Sequence, residues 1–111
     1  MPNEFHISIQ RPTVFIGGRR PILIEIILGG DGLMTPDAVP VLVEKVGHEL
    51  GDLAGEEPVI ISGRLPVWAF ASLVHALHPR PWVATFDPRL GGGVVVSSHV
   101  PNVRVGQVIR L

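Results

Sequence analysis

Two short stretches of the chain hold the residues best suited to chemistry: Ile61-Ser62-Gly63-Arg64 and Phe86-Asp87-Pro88-Arg89. In the first, Ser62 and Arg64 bring hydrogen-bond donors, and Gly63 lets the backbone turn and come close to a ligand. Pro66 follows and opens a helical pattern, so free backbone N–H groups and the positive end of the helix dipole face that turn. Such a turn suits an anion, phosphate above all. The same residues also make an ordinary strand-to-helix turn with a capping serine and a solvated arginine. In the second stretch an acid and an arginine stand two residues apart. That spacing suits a structural ion pair, or an acid and a cation working together on a phosphate.

The five histidines add candidates. His75 and His78 are three apart on one helical pattern and share a face, where they can bind a metal or complement the dipole at the helix C-terminus. His99 follows a strand in Ser97-Ser98-His99 and is a candidate ligand or base. His6 and His48 read as surface residues. Cysteine is absent, which excludes disulfides, thiolate metal sites and cysteine nucleophiles. The chain has no Walker loop, dinucleotide fingerprint, zincin helix or nucleophile elbow.

The elements that must position these residues follow from patterning. A length of 111 residues, with 46% hydrophobic and 17% charged, fits one folded domain over 1–111. Glu4–Gln10 alternates, with Phe5, Ile7 and Ile9 on one face, and predicts a half-buried strand. Thr13–Ile16 is a weaker strand candidate before Gly17-Gly18. Pro21–Leu28 is a strong strand whose only charge is Glu25. Thr35-Pro36-Asp37 has the form of a helix start, with Thr35 as the capping hydroxyl. Val39, Leu42, Val43, Val46 and Leu50 continue at helical spacing to Gly51.

Pro58–Ser62 is wholly apolar until its end and predicts a central strand. Pro66–His78 predicts a helix so apolar that it must be covered on more than one side, in part by another subunit. Trp82–Phe86, Val94–Ser98 and Gln107–Leu111 predict further strands, with Gly91-Gly92-Gly93 as a flexible turn. The alternation of strand and helix in the middle predicts a parallel core of about three strands with antiparallel outer strands. Open parallel sheets take ligands beyond the C-terminal ends of their strands, where both stretches fall.

Net charge is −1, which argues against a broadly basic nucleic-acid footprint and against DNA as a ligand. Lys45 is the only lysine, so the remaining basic residues are all arginine. No apolar run reaches the ~18 residues of a membrane span, and Met1-Pro2-Asn3-Glu4 does not begin like a signal peptide. A soluble cytoplasmic protein is expected.

Taken together, Ile61-Ser62-Gly63-Arg64, Pro66, Trp68, His78, Pro81, Phe86-Asp87-Pro88-Arg89-Leu90-Gly91 and Ser98-His99 resemble one family. It is the small manganese-dependent ring nucleases of type III CRISPR systems, the third ring-nuclease family. The resemblance covers about Pro58–Gln107. Leu65 departs from it, standing where a smaller residue is expected, and the glycine turn is one residue longer. The resemblance implies a small Rossmann-like α/β domain and degradation of the second messenger cyclic tetra-adenylate. It also implies manganese as cofactor and activity on the 3′ ends of single-stranded RNA. Carried over residue by residue, it implies that Ser62, Gly63 and Arg64 bind the ligand. His78, Asp87 and Arg89 would form the cleavage centre, and Asp87 and His99 would be metal ligands.

Geometry qualifies those roles. A helix from Pro66 to His78, at ~1.5 Å per residue, spans roughly 20 Å. It returns His78 to the start of the next strand, while Trp82–Phe86, at ~3.3 Å per residue, carries Asp87 roughly 16 Å away. One subunit therefore cannot bring His78 and Asp87 to one phosphate. The expectation is a homodimer, with dimers stacked head to tail into tetramers or filaments that share the active site. Three rivals remain: a sensor that binds the cyclic ligand without cutting it, a manganese-dependent RNA exonuclease, and a purely structural oligomerisation domain.

Overall fold

The computed structural model describes residues 4–111, so the reading of the Met1–Asn3 end lies outside the described residues. Strands β1 (Phe5–Gln10), β2 (Ile22–Leu28), β3 (Val59–Gly63), β4 (Trp82–Asp87), β5 (Gly92–Ser98) and β6 (Val108–Arg110) form one sheet in sequence order. β2, β3 and β4 run parallel, and β1, β5 and β6 join antiparallel. Helix α1 (Val39–Leu50) connects β2 to β3, and α2 (Val67–Leu77) connects β3 to β4. The expected α/β domain with a three-stranded parallel core is what forms.

Period-two alternation explains how the sheet is covered. Ile22, Ile24 and Ile26 of β2, Val59 and Ile61 of β3, and Val83 of β4 face both helices, against Leu42, Val46, Ala69, Leu73 and Leu77. Each such fully buried valine, leucine or isoleucine contributes roughly 1.5–3 kcal/mol. Ile60, Trp82, Ala84 and Val95 point the other way, where irregular chain replaces a helix layer. There Ile16, Val100 and Val103, with Ile109 of β6, close a second cluster.

Several local expectations are corrected. Thr13–Ile16 forms no strand; only an isolated bridge joins Ile16 to Arg19 around the Gly17-Gly18 turn. Thr35 stands at the N-cap and Pro36 opens the turn as expected, but the turn is a 3-10 one, Pro36–Ala38, ahead of α1. The Thr35 hydroxyl goes to the Asp37 carboxylate instead of capping a backbone N–H. Gly92 and Gly93 belong to β5 rather than to a flexible turn. A Cβ on Gly92 would lie 2.4 Å from the Ile109 carbonyl oxygen, so β6 approaches backbone to backbone where no side chain fits. α2 buries a single stripe, Ala69, Leu73 and Leu77, and leaves Val67 and Trp68 exposed within the chain. Among the described residues, no helix is long and apolar enough to cross a membrane.

Candidate functional site at the strand ends

β3 ends at Gly63, whose φ of 153° and close approach to β2 exclude a side chain: a Cβ there would lie 2.5 Å from the Ile26 carbonyl oxygen. The chain then leaves the sheet through Arg64, which is exposed and forms no ion pair with the described residues. Pro66 is the N-cap of α2 rather than its first residue, with extended backbone and no side-chain cap. The N–H groups of Ala69 and Phe70 both donate to the Pro66 carbonyl oxygen, at 3.0 and 3.2 Å. The N–H groups of Val67 and Trp68 precede that first turn of bonds and have no intrahelical acceptor.

Gly63 and Arg64 border a cleft of ≈ 660 Å³ at the C-terminal ends of β2, β3 and β4. Ser62, Gly63, Arg64, Phe86 and Pro88 line it, as do two acids, Glu25 and Asp31. A second recess of ≈ 490 Å³ lies between the start of α2 and the end of β4, and Asp87, Arg89 and Val67 line it. Phe86 and Pro88 border both, so they form the wall between them.

Asp87 and Arg89 make a tight turn. The Arg89 N–H donates to Asp87 Oδ1 at 2.9 Å, Nε to the same oxygen at 3.3 Å, and Nη2 to Oδ2 at 3.1 Å. Hydrogen bonds from the Arg89 side chain, then from its backbone, hold the Asp87 carboxyl below the usual carboxylate range. The guanidinium is correspondingly raised by Asp87. Asp87 is three-quarters covered, at 24% exposure, while Arg89 stands out at 88%. The turn thus presents a cation to solvent and keeps the acid ionised behind it.

The histidines gather at the opposite end. The His78 ring centroid lies 5.9 Å from those of His75 and His99. The His99 backbone N–H donates to the Pro81 carbonyl oxygen at 2.9 Å, which ties the end of β5 to the start of β4. Register pairs Trp82 with Ser98 and Asp87 with Gly92, so His99 and Asp87 lie at opposite ends of the β4–β5 hairpin. That separation, roughly 16 Å at ~3.3 Å per residue, keeps Asp87 and His99 of one chain from meeting on one metal. Ser62, Gly63, Arg64, Asp87 and Arg89 come together on one edge; His78 and His99 do not join them.

Among the described residues, no three His, Asp or Glu side chains are grouped to hold a metal. The Asp87 carboxylate and the imidazoles of His78 and His99 are donor types that manganese accepts, and within one chain they stand at opposite ends of β4.

Three residues at these two ends escaped the sequence reading of the site. Glu25 was visible as the only charge in β2, but its neighbour Ser62 is fixed only by the β2–β3 register. Phe86 read as a strand residue. Arg80 lay inside a Pro-Arg-Pro helix stop, yet it is 3% exposed. Its guanidinium donates to the carbonyl oxygens of Leu53, Glu57 and Asp52 at 2.9, 2.9 and 2.7 Å. Burial lowers its pKa from the usual arginine value, and Glu57 and Asp52 oppose that shift.

Fold and cleft together define a small α/β domain with an open cleft at the C-terminal ends of its parallel strands. Comparison with known proteins gives that domain a family. The model of the CRISPR-associated protein family Cas_csx3 matches residues 35–110, and the chain belongs to that family. The match reaches α1 and so extends well before Pro58, where the motif resemblance began. An Aquifex aeolicus (strain VF5) protein, described only as uncharacterized, is 54% identical over 52 residues. That stretch is 47% of each chain, so the match takes in about half the length of this relative.

Proposed function

We propose that this CRISPR-associated protein binds cyclic tetra-adenylate and cleaves it to linear oligoadenylates, with manganese as cofactor, switching off type III CRISPR signalling. The observation that carries the reading is the joining of the two turns on one edge: Ser62–Arg64 beside the cleft and Asp87–Arg89 in the adjoining recess. Arg64, Ser62 and the free N–H groups at the start of α2 bind phosphate. Arg89 carries its guanidinium to the phosphate that reacts and stabilises charge building on its oxygens. Asp87 holds Arg89 in place and supplies a carboxylate for manganese. His78 of a second copy, lowered onto this edge by head-to-tail stacking, takes the proton of the ribose 2′-hydroxyl as that oxygen attacks the phosphorus. The bond from phosphorus to the 5′ oxygen breaks, and that oxygen leaves and takes a proton from water, so the linear product ends in a 2′,3′-cyclic phosphate. Manganese, when bound, supplies Lewis-acid polarisation of the phosphate.

The test is complementation. His78→Ala and Asp87→Ala proteins are each inactive on labelled cyclic tetra-adenylate, and mixing them restores part of the activity, since some mixed contacts carry both intact halves. A mixture as inactive as its components would refute the shared site.

A second reading has one observation in its favour. A single chain carries a complete ligand edge with no histidine near it, which suffices for a sensor that captures the ring without cutting it. Stoichiometric capture with no linear product in manganese would select the sensor.

A further inference from the structure

The cleft holds more than a phosphate needs. Arg64 makes it cationic, but Glu25, half-buried and next to Ser62 in the β2–β3 register, lines it as well. Gln10 Nε2 donates to Glu25 Oε1 at 2.9 Å. That bond fixes the carboxylate without neutralising it and leaves the other oxygen free to accept. The second acid, Asp31, lies in the exposed loop after β2, where its Oδ1 accepts the Leu33 N–H at 3.1 Å. A carboxylate in this position repels phosphate and calls for a ligand group that donates a hydrogen bond. Phe86, also half-buried, lines the same cleft and offers an apolar ring.

We propose that the cleft, across which Glu25 of β2 and Phe86 of β4 flank β3, holds a base-binding subsite in which Phe86 packs against the base and Glu25 accepts a hydrogen bond from its exocyclic amine. The inference rests on the function proposed above and adds the selection of the base. Phosphate is drawn to Arg64, and the amine of adenine is drawn to Glu25. A base with a carbonyl oxygen at that position would set acceptor against acceptor, so guanine and uracil are disfavoured.

The experiment compares two cyclic tetranucleotides, one of adenosine and one of purine riboside, which keeps the ring system and lacks only the 6-amine. Binding is measured by competition at fixed salt. The wild type favours the adenosine ring by about tenfold, the effect of one hydrogen bond to a charged acceptor. Glu25→Ala removes that preference. Gln10→Ala, on an exposed residue, reduces it about threefold, and this variant keeps the test decisive if Glu25→Ala does not fold. Phe86→Leu weakens both ligands alike and leaves the preference unchanged. Equal binding of the two rings by the wild type overturns this inference alone. Equal loss for both rings in Glu25→Ala also overturns it, placing Glu25 on a ribose hydroxyl. Binding of neither ring overturns the proposed function, and this inference with it.

Discussion

His99 hydrogen-bonds the backbone of His78: its Nε2 lies 2.7 Å from the His78 carbonyl oxygen. A carbonyl oxygen only accepts, so Nε2 carries the proton and, in the neutral ring, Nδ1 keeps its lone pair. The bond links the loop after β5 to the residue that ends α2. It orients His78 through its main chain and leaves the His78 imidazole exposed.

His99 is therefore a positioning residue for the proposed reaction. His99→Ala should lower kcat on cyclic tetra-adenylate by roughly tenfold, the scale of a modest misplacement of a reacting group, with KM nearly unchanged. His99→Gln, whose amide N–H can donate to the same oxygen, should restore most of the loss. Steady-state kinetics of the three proteins checks this.

Gly63 tolerates no side chain. In Gly63→Ala the added methyl meets the Ile26 carbonyl oxygen at 2.5 Å, on a backbone conformation that already disfavours it. The expected cost is about 2–3 kcal/mol in urea unfolding, with loss of cyclic tetra-adenylate binding.

Arg64→Ala should weaken ligand binding about tenfold at low salt. It should also reduce the slope of log affinity against log salt by roughly one unit, because one phosphate contact is lost. Titrations at four salt concentrations measure both, and an unchanged slope would remove Arg64 from the phosphate.

Arg80→Leu leaves three carbonyl oxygens without the donor that joins them. The expected destabilisation is about 2–4 kcal/mol, read from the urea midpoint. Cleavage by the folded fraction should fall as well, because Arg80 anchors the 52–57 loop at the histidine end of the sheet.

Chelation should separate capture from cleavage. With manganese removed by EDTA, cyclic tetra-adenylate binding should fall less than threefold, since arginines and backbone amides supply the contacts. Production of linear oligoadenylate should stop and return when manganese is restored.

Much of this arrangement could be read from residue order. The apolar runs of β2, β3 and β4 marked a covered parallel core. The alternation of Phe5, Ile7 and Ile9 marked an edge strand with one wet face. The strand ends at Ser62–Arg64 and Asp87–Arg89 could be located because parallel strands have one common end. What stayed hidden depended on partners distant in the chain. The Gly91–Gly93 triplet reads locally as flexible, and only the approach of β6 makes two of those glycines strand residues. Among the described residues no acid forms an ion pair with Arg80, and its three carbonyl partners are backbone, which side-chain identity does not encode. Glu25 becomes a cleft residue only once register sets it beside Ser62.

The placement of ligand edge and histidine end at opposite ends of β4 has a consequence for dosage. If turnover requires two copies in contact, its rate rises faster than in proportion to the amount of protein. Few copies would hold the messenger and shield it, and many copies would destroy it. A host could thus set the duration of its alarm by how much of this chain it makes, with no regulator beyond abundance.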